Sequence, residues 1–227
     1  MSVLQVEGLE AGYHGRPALR DFDLEVAEGQ VVAILGPNGA GKTTTLTALA
    51  GALKPFKGSV RMFGRPAPGS LHARARQGLA YIAEDRSVFM ELTTEENLRV
   101  GQSDLKTALR LFPELEPLRA KRAGLLSGGE QQMLTLARAL SRNPRLLLVD
   151  ELSLGLAPKV VERLLDEVRR AATETGCAVV LVEQHITQAL KRADRAVVLR
   201  RGQVSLRGEA AELRSREADI RQAYLSN

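Results

Sequence analysis

Apolar residues between Phe22 and Val26 fall two apart. Val3 to Leu9 reads as a short extended segment and Phe22-Asp23-Leu24-Glu25-Val26 alternates apolar with acidic side chains, which predicts a strand with one buried face, and Ala27-Glu28-Gly29-Gln30 follows as a turn. Val31-Val32-Ala33-Ile34-Leu35 carries no polar residue and predicts a strand buried on both faces. After a Gly-rich loop, Leu46, Leu49, Ala50 and Leu53 recur at helical spacing.

The same order returns twice. Leu146 to Val149 predicts a second buried strand, Val161, Leu164, Leu165 and Val168 stripe a helix, and Ala178 to Val182 predicts a third strand. Strands alternating with helices predict an α/β core with a mostly parallel sheet. Between Thr93 and Leu140 the buried-strand runs vanish, and Thr93-Thr94-Glu95-Glu96 offers a capping box at the head of a helical stretch that Pro113 and Pro117 interrupt. Ala196 to Leu199 and Val204 to Leu206 flank Arg200-Arg201-Gly202-Gln203 as a hairpin, ahead of a charged terminal helix. The expected organisation is one domain over residues 1–227. Segments 1–91 and 141–227 form the α/β core with an N-terminal antiparallel β subdomain, and residues 92–140 form an inserted helical subdomain.

Composition narrows this picture. The 227 residues suffice to bury a hydrophobic core without disulfides, and the single cysteine, Cys177, sits in an apolar run that predicts an idle, buried thiol. No run approaches the ~18 apolar residues of a membrane span, and the N-terminus shows no leader pattern, so a soluble chain is expected. The net charge is +5, but the basic residues are scattered among acids, and five Phe, three Tyr and no Trp leave little to stack bases, so no nucleic-acid partner is expected.

Three motifs carry chemistry. Gly36-Pro37-Asn38-Gly39-Ala40-Gly41-Lys42-Thr43, followed by Thr44, fits the phosphate-loop pattern and lies between a buried strand and a helix. Glycines let backbone N–H groups wrap a polyphosphate, Lys42 supplies charge to its outer phosphates, and the Thr43 hydroxyl suits Mg²⁺. Arg145-Leu146-Leu147-Leu148-Val149-Asp150-Glu151 is an apolar strand ending in two acids: Asp150 for the metal, Glu151 to orient and polarise an attacking water. Leu126-Ser127-Gly128-Gly129-Glu130 heads a helix striped by Met133, Leu136, Ala137 and Leu140. Ser127 and Glu130 form a capping box, and the two glycines expose N–H groups at a positive helix end, a second phosphate site.

With two phosphate-binding elements in one chain, the sequence resembles the nucleotide-binding subunits of ABC transporters, whose signature is Leu-Ser-Gly-Gly-Glu. The resemblance spans essentially the whole chain. It implies a RecA-like P-loop NTPase core that binds and hydrolyses ATP with Mg²⁺. It also implies a head-to-tail dimer, with itself or a second ATPase subunit, in which Ser127, Gly128 and Gly129 cover the ATP held by the partner. Tyr13 matches the aromatic that stacks on adenine, His185 the histidine that contacts the γ-phosphate, and Ser153-Leu154-Gly155-Leu156 the loop that crosses the interface.

More narrowly, the chain looks like the smaller ATPase subunit of branched-chain amino acid importers, on Glu84 and Arg86 and on Ser153-Leu154-Gly155-Leu156-Ala157-Pro158. Glu84 stands where most relatives carry a magnesium-binding Gln. Ala83 and Asp85 depart from that branch's Pro and Gly, and Leu152 and Met90 from its usual prolines. The implied setting is the cytoplasmic face of the membrane, against permease subunits fed by a substrate-binding protein. A soluble ABC-type ATPase working on ribosomes or DNA would usually carry tandem ATPase domains or coiled-coil insertions. A P-loop kinase or GTPase lacks support, because no Asn-Lys-x-Asp motif occurs and Glu151 beside Asp150 favours water as the nucleophile, and a nucleotide sensor without turnover is disfavoured because every hydrolytic element is present.

Overall fold

A computed structural model of the chain describes residues 1–85, 87–218 and 220. Arg86 and the end of the expected terminal helix therefore lie outside the described residues. The extended N-terminal segments form an antiparallel hairpin, β1 (Ser2–Tyr13) and β2 (Arg16–Ala27). On β2, buried Phe22, Leu24 and Val26 alternate with exposed Asp23 and Glu25, as the sequence predicts. All five residues of β3 (Val31–Leu35) are buried. Helix α1 (Lys42–Ala50) ends at Gly51, whose left-handed conformation caps it. Leu53, expected on the helical stripe, thus lies past the helix, though it still packs partly buried on the same core.

The next elements left weaker traces in the sequence. They are β4 (Lys57–Met62), β5 (Arg65–Pro66), α2 (Leu71–Arg76) and β6 (Leu79–Ile82). From there to residue 140 the named elements are helical: α3 (Thr94–Val100), α4 (Leu105–Leu111), 3-10 turns at Pro113–Leu118 and Ala123–Leu125, and α5 (Gly128–Leu140). The Thr93 capping box forms in both directions. Pro113 opens a 3-10 turn, where its missing N–H costs no hydrogen bond. The chain then alternates strand and helix through β7 (Leu146–Asp150), α6 (Pro158–Thr175), β8 (Ala178–Val182) and α7 (Ile186–Arg192). A hairpin of β9 (Arg195–Arg200) and β10 (Gln203–Glu209) leads into α8 (Ala210–Ser215).

Two sheets result. The antiparallel one has strand order β2-β1-β4-β5, and the larger one β10-β9-β3-β8-β7-β6. In the larger sheet every neighbouring pair is parallel except the β9–β10 hairpin. Successive residues of β3 feed opposite cores. Val31, Ala33 and Leu35 pack with Leu136, Leu164 and Leu190 of α5, α6 and α7, while Val32 and Ile34 pack with Leu46 and Leu49 of α1 and with the antiparallel sheet. Because β3, β6, β7 and β8 run parallel, the loops leaving them gather at one edge, where ligands of α/β sheets bind.

Candidate functional site

The phosphate loop leaves β3 and turns into α1 under tight backbone constraints. A Cβ on Gly36 would lie 2.5 Å from the Leu199 carbonyl oxygen, and one on Gly41, whose φ is 103°, 2.6 Å from that of Ala18. Gly39 differs: its φ of 77° favours glycine, and a Cβ there would meet nothing within 4 Å. The loop is pinned by hydrogen bonds from the Ala40 N–H to the Pro37 carbonyl (3.1 Å) and from the Gly202 N–H to the Ala40 carbonyl (3.0 Å). Lys42 is 4% exposed, and its Nζ donates to the Pro37 carbonyl at 3.2 Å.

A cavity of about 500 Å³ opens against this loop. Asn38, Gly39, Gly41, Lys42, Thr43 and Thr44 line it from one side, and Glu84, Glu151, Leu154 and Gln184 from the loops after β6, β7 and β8. Gly36, Pro37 and Ala40 shape the loop from behind and do not reach the cavity.

The two acids after β7 occupy different environments. Asp150 is fully buried, and burial pushes its pKa up to about 6, reinforced by Glu151 and Glu84 and opposed by Thr43 and Lys42. The Thr43 hydroxyl is close enough to work against that rise, yet neither Asp150 oxygen completes a hydrogen bond with it or with any other described residue. Two buried, partnerless carboxylate oxygens beside a threonine hydroxyl suit a hard divalent cation, which would supply the missing partner.

Glu151 is 6% exposed and takes a positive φ of 48°. Its N–H donates to the Val182 carbonyl (3.0 Å), which ties the end of β7 to the end of β8. Its Oε1 lies 3.5 Å from Lys42 Nζ, and its Oε2 accepts a 2.6 Å hydrogen bond from Gln184 Nε2.

Of the residues singled out in the sequence, the fold brings the phosphate loop, Asp150, Glu151 and Glu84 to one place. It does not bring His185 there: that side chain is exposed at the head of α7 and absent from the cavity lining, while its neighbour Gln184 faces Glu151. Gln184 escaped the sequence reading because nothing in the sequence reveals the register of parallel strands. Tyr13, at the tip of the first hairpin, is 49% exposed and stands outside the cavity. Ser127, Gly128 and Gly129 cap α5 away from it. Ser127 accepts from the Glu130 N–H (3.3 Å), and its own N–H donates to Glu130 Oε2 (2.6 Å), the expected capping box. Cys177 is buried, and burial pushes its thiol up to about 12, so it is inert.

Glu183 is a second finding outside the sequence reading. It is fully buried, accepts a 2.5 Å hydrogen bond from the Ser153 hydroxyl, and its pKa is pushed up to about 7 by burial. It joins the loop after β8 to the loop after Glu151.

The strand-loop-helix cradle, with Lys42 paired to a glutamate at the edge of a parallel sheet, places the chain in the class of P-loop nucleoside triphosphatases. Comparison with known proteins narrows that class. The ABC transporter family profile matches residues 19–153. A branched-chain amino acid transport ATP-binding protein, BraG of Pseudomonas aeruginosa, is 42% identical over 94% of this chain and 95% of its own length. A probable protein of the same description, LivF of Archaeoglobus fulgidus, is 35% identical over 95% of each chain. The solved structure of an ATP-binding subunit of an ABC transporter matches with a TM-score of 0.80 at 29% identity, over 98% of this chain and 96% of the other. The chain belongs to the ABC transporter family, as an ATP-binding, ATP-hydrolysing member.

Proposed function

We propose that this chain powers the uptake of branched-chain or other amino acids as one ATPase subunit of an ABC importer. It would work on the cytoplasmic face of the membrane against permease subunits, with a substrate-binding protein delivering the solute. The amino-acid branch rests on the likeness to the BraG and LivF proteins. Among the described residues no helix is long and apolar enough to cross a membrane, so permease subunits would supply the path.

The observation that carries the catalytic reading is the convergence of Lys42, Glu151 and the partnerless Asp150 at one sheet edge. Lys42 and the loop N–H groups hold the outer phosphates. Thr43 and Asp150, with Glu84 facing the same cavity, would hold Mg²⁺, which when bound neutralises charge on the phosphates. Glu151 accepts a proton from water as its oxygen bonds to the γ-phosphorus and the bond to ADP breaks. Catalysis is then mostly positioning and charge stabilisation.

The cavity receives nothing from Ser127, Gly128, Gly129 or Tyr13 of the same chain. In this reading the first three close over ATP bound to a second subunit, which is this chain again or a second ATPase, and Tyr13 stacks on the adenine. Leu154, 50% exposed beside Glu151, then meets that partner. We also read residues 92–140 as the inserted helical subdomain. Between α2, β6 and α5 lies a cavity of about 630 Å³ lined by Arg76, Arg138 and Arg142, a short step from the Glu84 loop, and this is the face we assign to the permease.

The test is ATP hydrolysis against protein concentration for wild type and Glu151→Gln, with the oligomeric state of each in MgATP. Turnover per chain that rises with concentration, and a mutant held by ATP as a dimer, support the shared site. Turnover independent of concentration with a monomeric mutant removes the self-paired dimer, and adding a second ATPase subunit then decides whether that is the partner. Leucine uptake by vesicles containing the cognate permease tests the substrate class.

A further inference from the structure

We propose that the turn between β9 and β10 sets the spacing between the base-binding and phosphate-binding halves of the ATP site, with Gly202 as its positioning residue. Arg201 and Gly202 form the turn, with φ of 50° and 78°, the two positive values of a tight hairpin turn. Turn geometry alone would accept Asn in place of the glycine. Packing does not: a Cβ on Gly202 would lie 2.4 Å from the Ala18 carbonyl oxygen. That same oxygen faces Gly41 of the phosphate loop, where a Cβ would lie 2.6 Å away. Two glycines from different elements thus close on one carbonyl of β2.

Hydrogen bonds complete this joint. The Gly202 N–H donates to the Ala40 carbonyl of the phosphate loop (3.0 Å), and the Gly202 carbonyl accepts from the Arg20 N–H of β2 (2.8 Å). The loop leaves β3 of the larger sheet, whereas β2 belongs to the antiparallel one, so this turn fixes a relation between two sheets. β2 brings Ala18 to the cavity wall and, paired with β1, carries Tyr13 at the hairpin tip. ATP spans both parts, its phosphates on the loop N–H groups and its base at Tyr13. A ligand held at two ends gains affinity from both only where their separation matches its own length.

This inference rests on the reading of Tyr13 as the residue that stacks on adenine. The experiment is calorimetric titration of the full chain with ATP and with inorganic tripolyphosphate, which has no base, each with Mg²⁺. Gly202→Ala crowds the Ala18 carbonyl and leaves the N–H to Ala40 in place. Because that methyl also costs stability, Arg20→Pro serves as the second variant: it removes the donor to the Gly202 carbonyl without crowding Ala18. Thermal melting confirms that each is folded at the titration temperature. Both should weaken ATP roughly tenfold while tripolyphosphate stays within about twofold of wild type, since only the ligand that reaches both halves senses their spacing. In a Tyr13→Ala background the same changes should weaken ATP by less than about twofold further, because the base contact is already lost. Unchanged ATP affinity in both variants overturns the proposal, as does an equal loss for ATP and tripolyphosphate, which would make the turn a prop for the phosphate loop alone. So does a full tenfold loss that persists without Tyr13. If Tyr13→Ala alone binds ATP as wild type does, the reading of Tyr13 fails, and this inference fails with it.

Discussion

Lys42 Nζ stands 3.5 Å from Glu151 Oε1, and both side chains are more than nine-tenths buried. The phosphate-binding cation and the candidate base are thus one electrostatic unit, each offsetting the desolvation of the other. Replacing Glu151 with Gln keeps the shape and an acceptor for Gln184 while removing the basic oxygen. ATP affinity should be retained, and turnover should fall by roughly a hundredfold or more, the scale of losing one preorganised catalytic group. Equilibrium nucleotide binding alongside single-turnover hydrolysis separates the two effects. Unchanged turnover would remove Glu151 from its assigned role.

Lys42→Ala acts on the other half of the pair. It deletes the charge nearest the phosphates and leaves Glu151 buried without a cation, so nucleotide binding itself should weaken. The loss of charge-assisted contacts predicts a fall in ATP affinity of roughly 10- to 100-fold. Fluorescent-nucleotide titration measures it directly. Affinity within about twofold of wild type would mean that the loop N–H groups alone carry the phosphates.

How much of this was legible beforehand differs by element. β3, β7 and β8 announce themselves as unbroken apolar runs because both faces of a parallel sheet are covered, and β2 by its alternation. β4 and β6 do not. β4 is largely exposed and contains Lys57, Gly58, Ser59 and Arg61, so its strand character comes from pairing with β1, which no local pattern encodes. The phosphate loop and the Asp150-Glu151 pair were visible because their chemistry needs fixed residue types at fixed spacing. The contact between Gln184 and Glu151 depends on β7 and β8 lying side by side in register, a relation between segments thirty-three residues apart. The family resemblance favoured His185, and the loop after β8 brings its neighbour Gln184 to Glu151 instead.

Glu183 gives a pH signature. Burial raises its carboxyl from 4.5 to about 7, partly offset by the Ser153 hydroxyl. The folded state therefore binds this proton more tightly than the unfolded chain. Stability contributed here is highest where the group is protonated in both states, and it declines as pH rises from about 4.5 to about 7. A shift of that size corresponds to a loss on the order of 3 kcal/mol. Glu183→Gln keeps an acceptor for Ser153 and cannot ionise, so its unfolding free energy should lack this decline. Urea titrations of both proteins at about pH 4.5 and about pH 8 compare the slopes. Parallel slopes would show that Glu183 titrates normally.

The glycines of the phosphate loop separate folding from binding. Gly41→Ala would place a methyl 2.6 Å from the Ala18 carbonyl oxygen at a φ of 103°, a backbone clash that no side-chain movement relieves. It should destabilise the fold by at least ~2 kcal/mol. Gly39→Ala meets nothing within 4 Å, so its structural cost is confined to a left-handed conformation, about 1 kcal/mol. That open space belongs to the cavity wall, where a triphosphate must approach the loop closely enough to meet its N–H groups. A methyl there should lower ATP affinity by roughly tenfold or more while the protein stays folded, a change of about 1.4 kcal/mol in binding. Thermal melting and nucleotide titration on the two variants should therefore give opposite patterns: Gly41→Ala loses stability first, and Gly39→Ala loses binding first. If Gly39→Ala binds ATP as wild type does, the phosphates do not pass along this face of the loop.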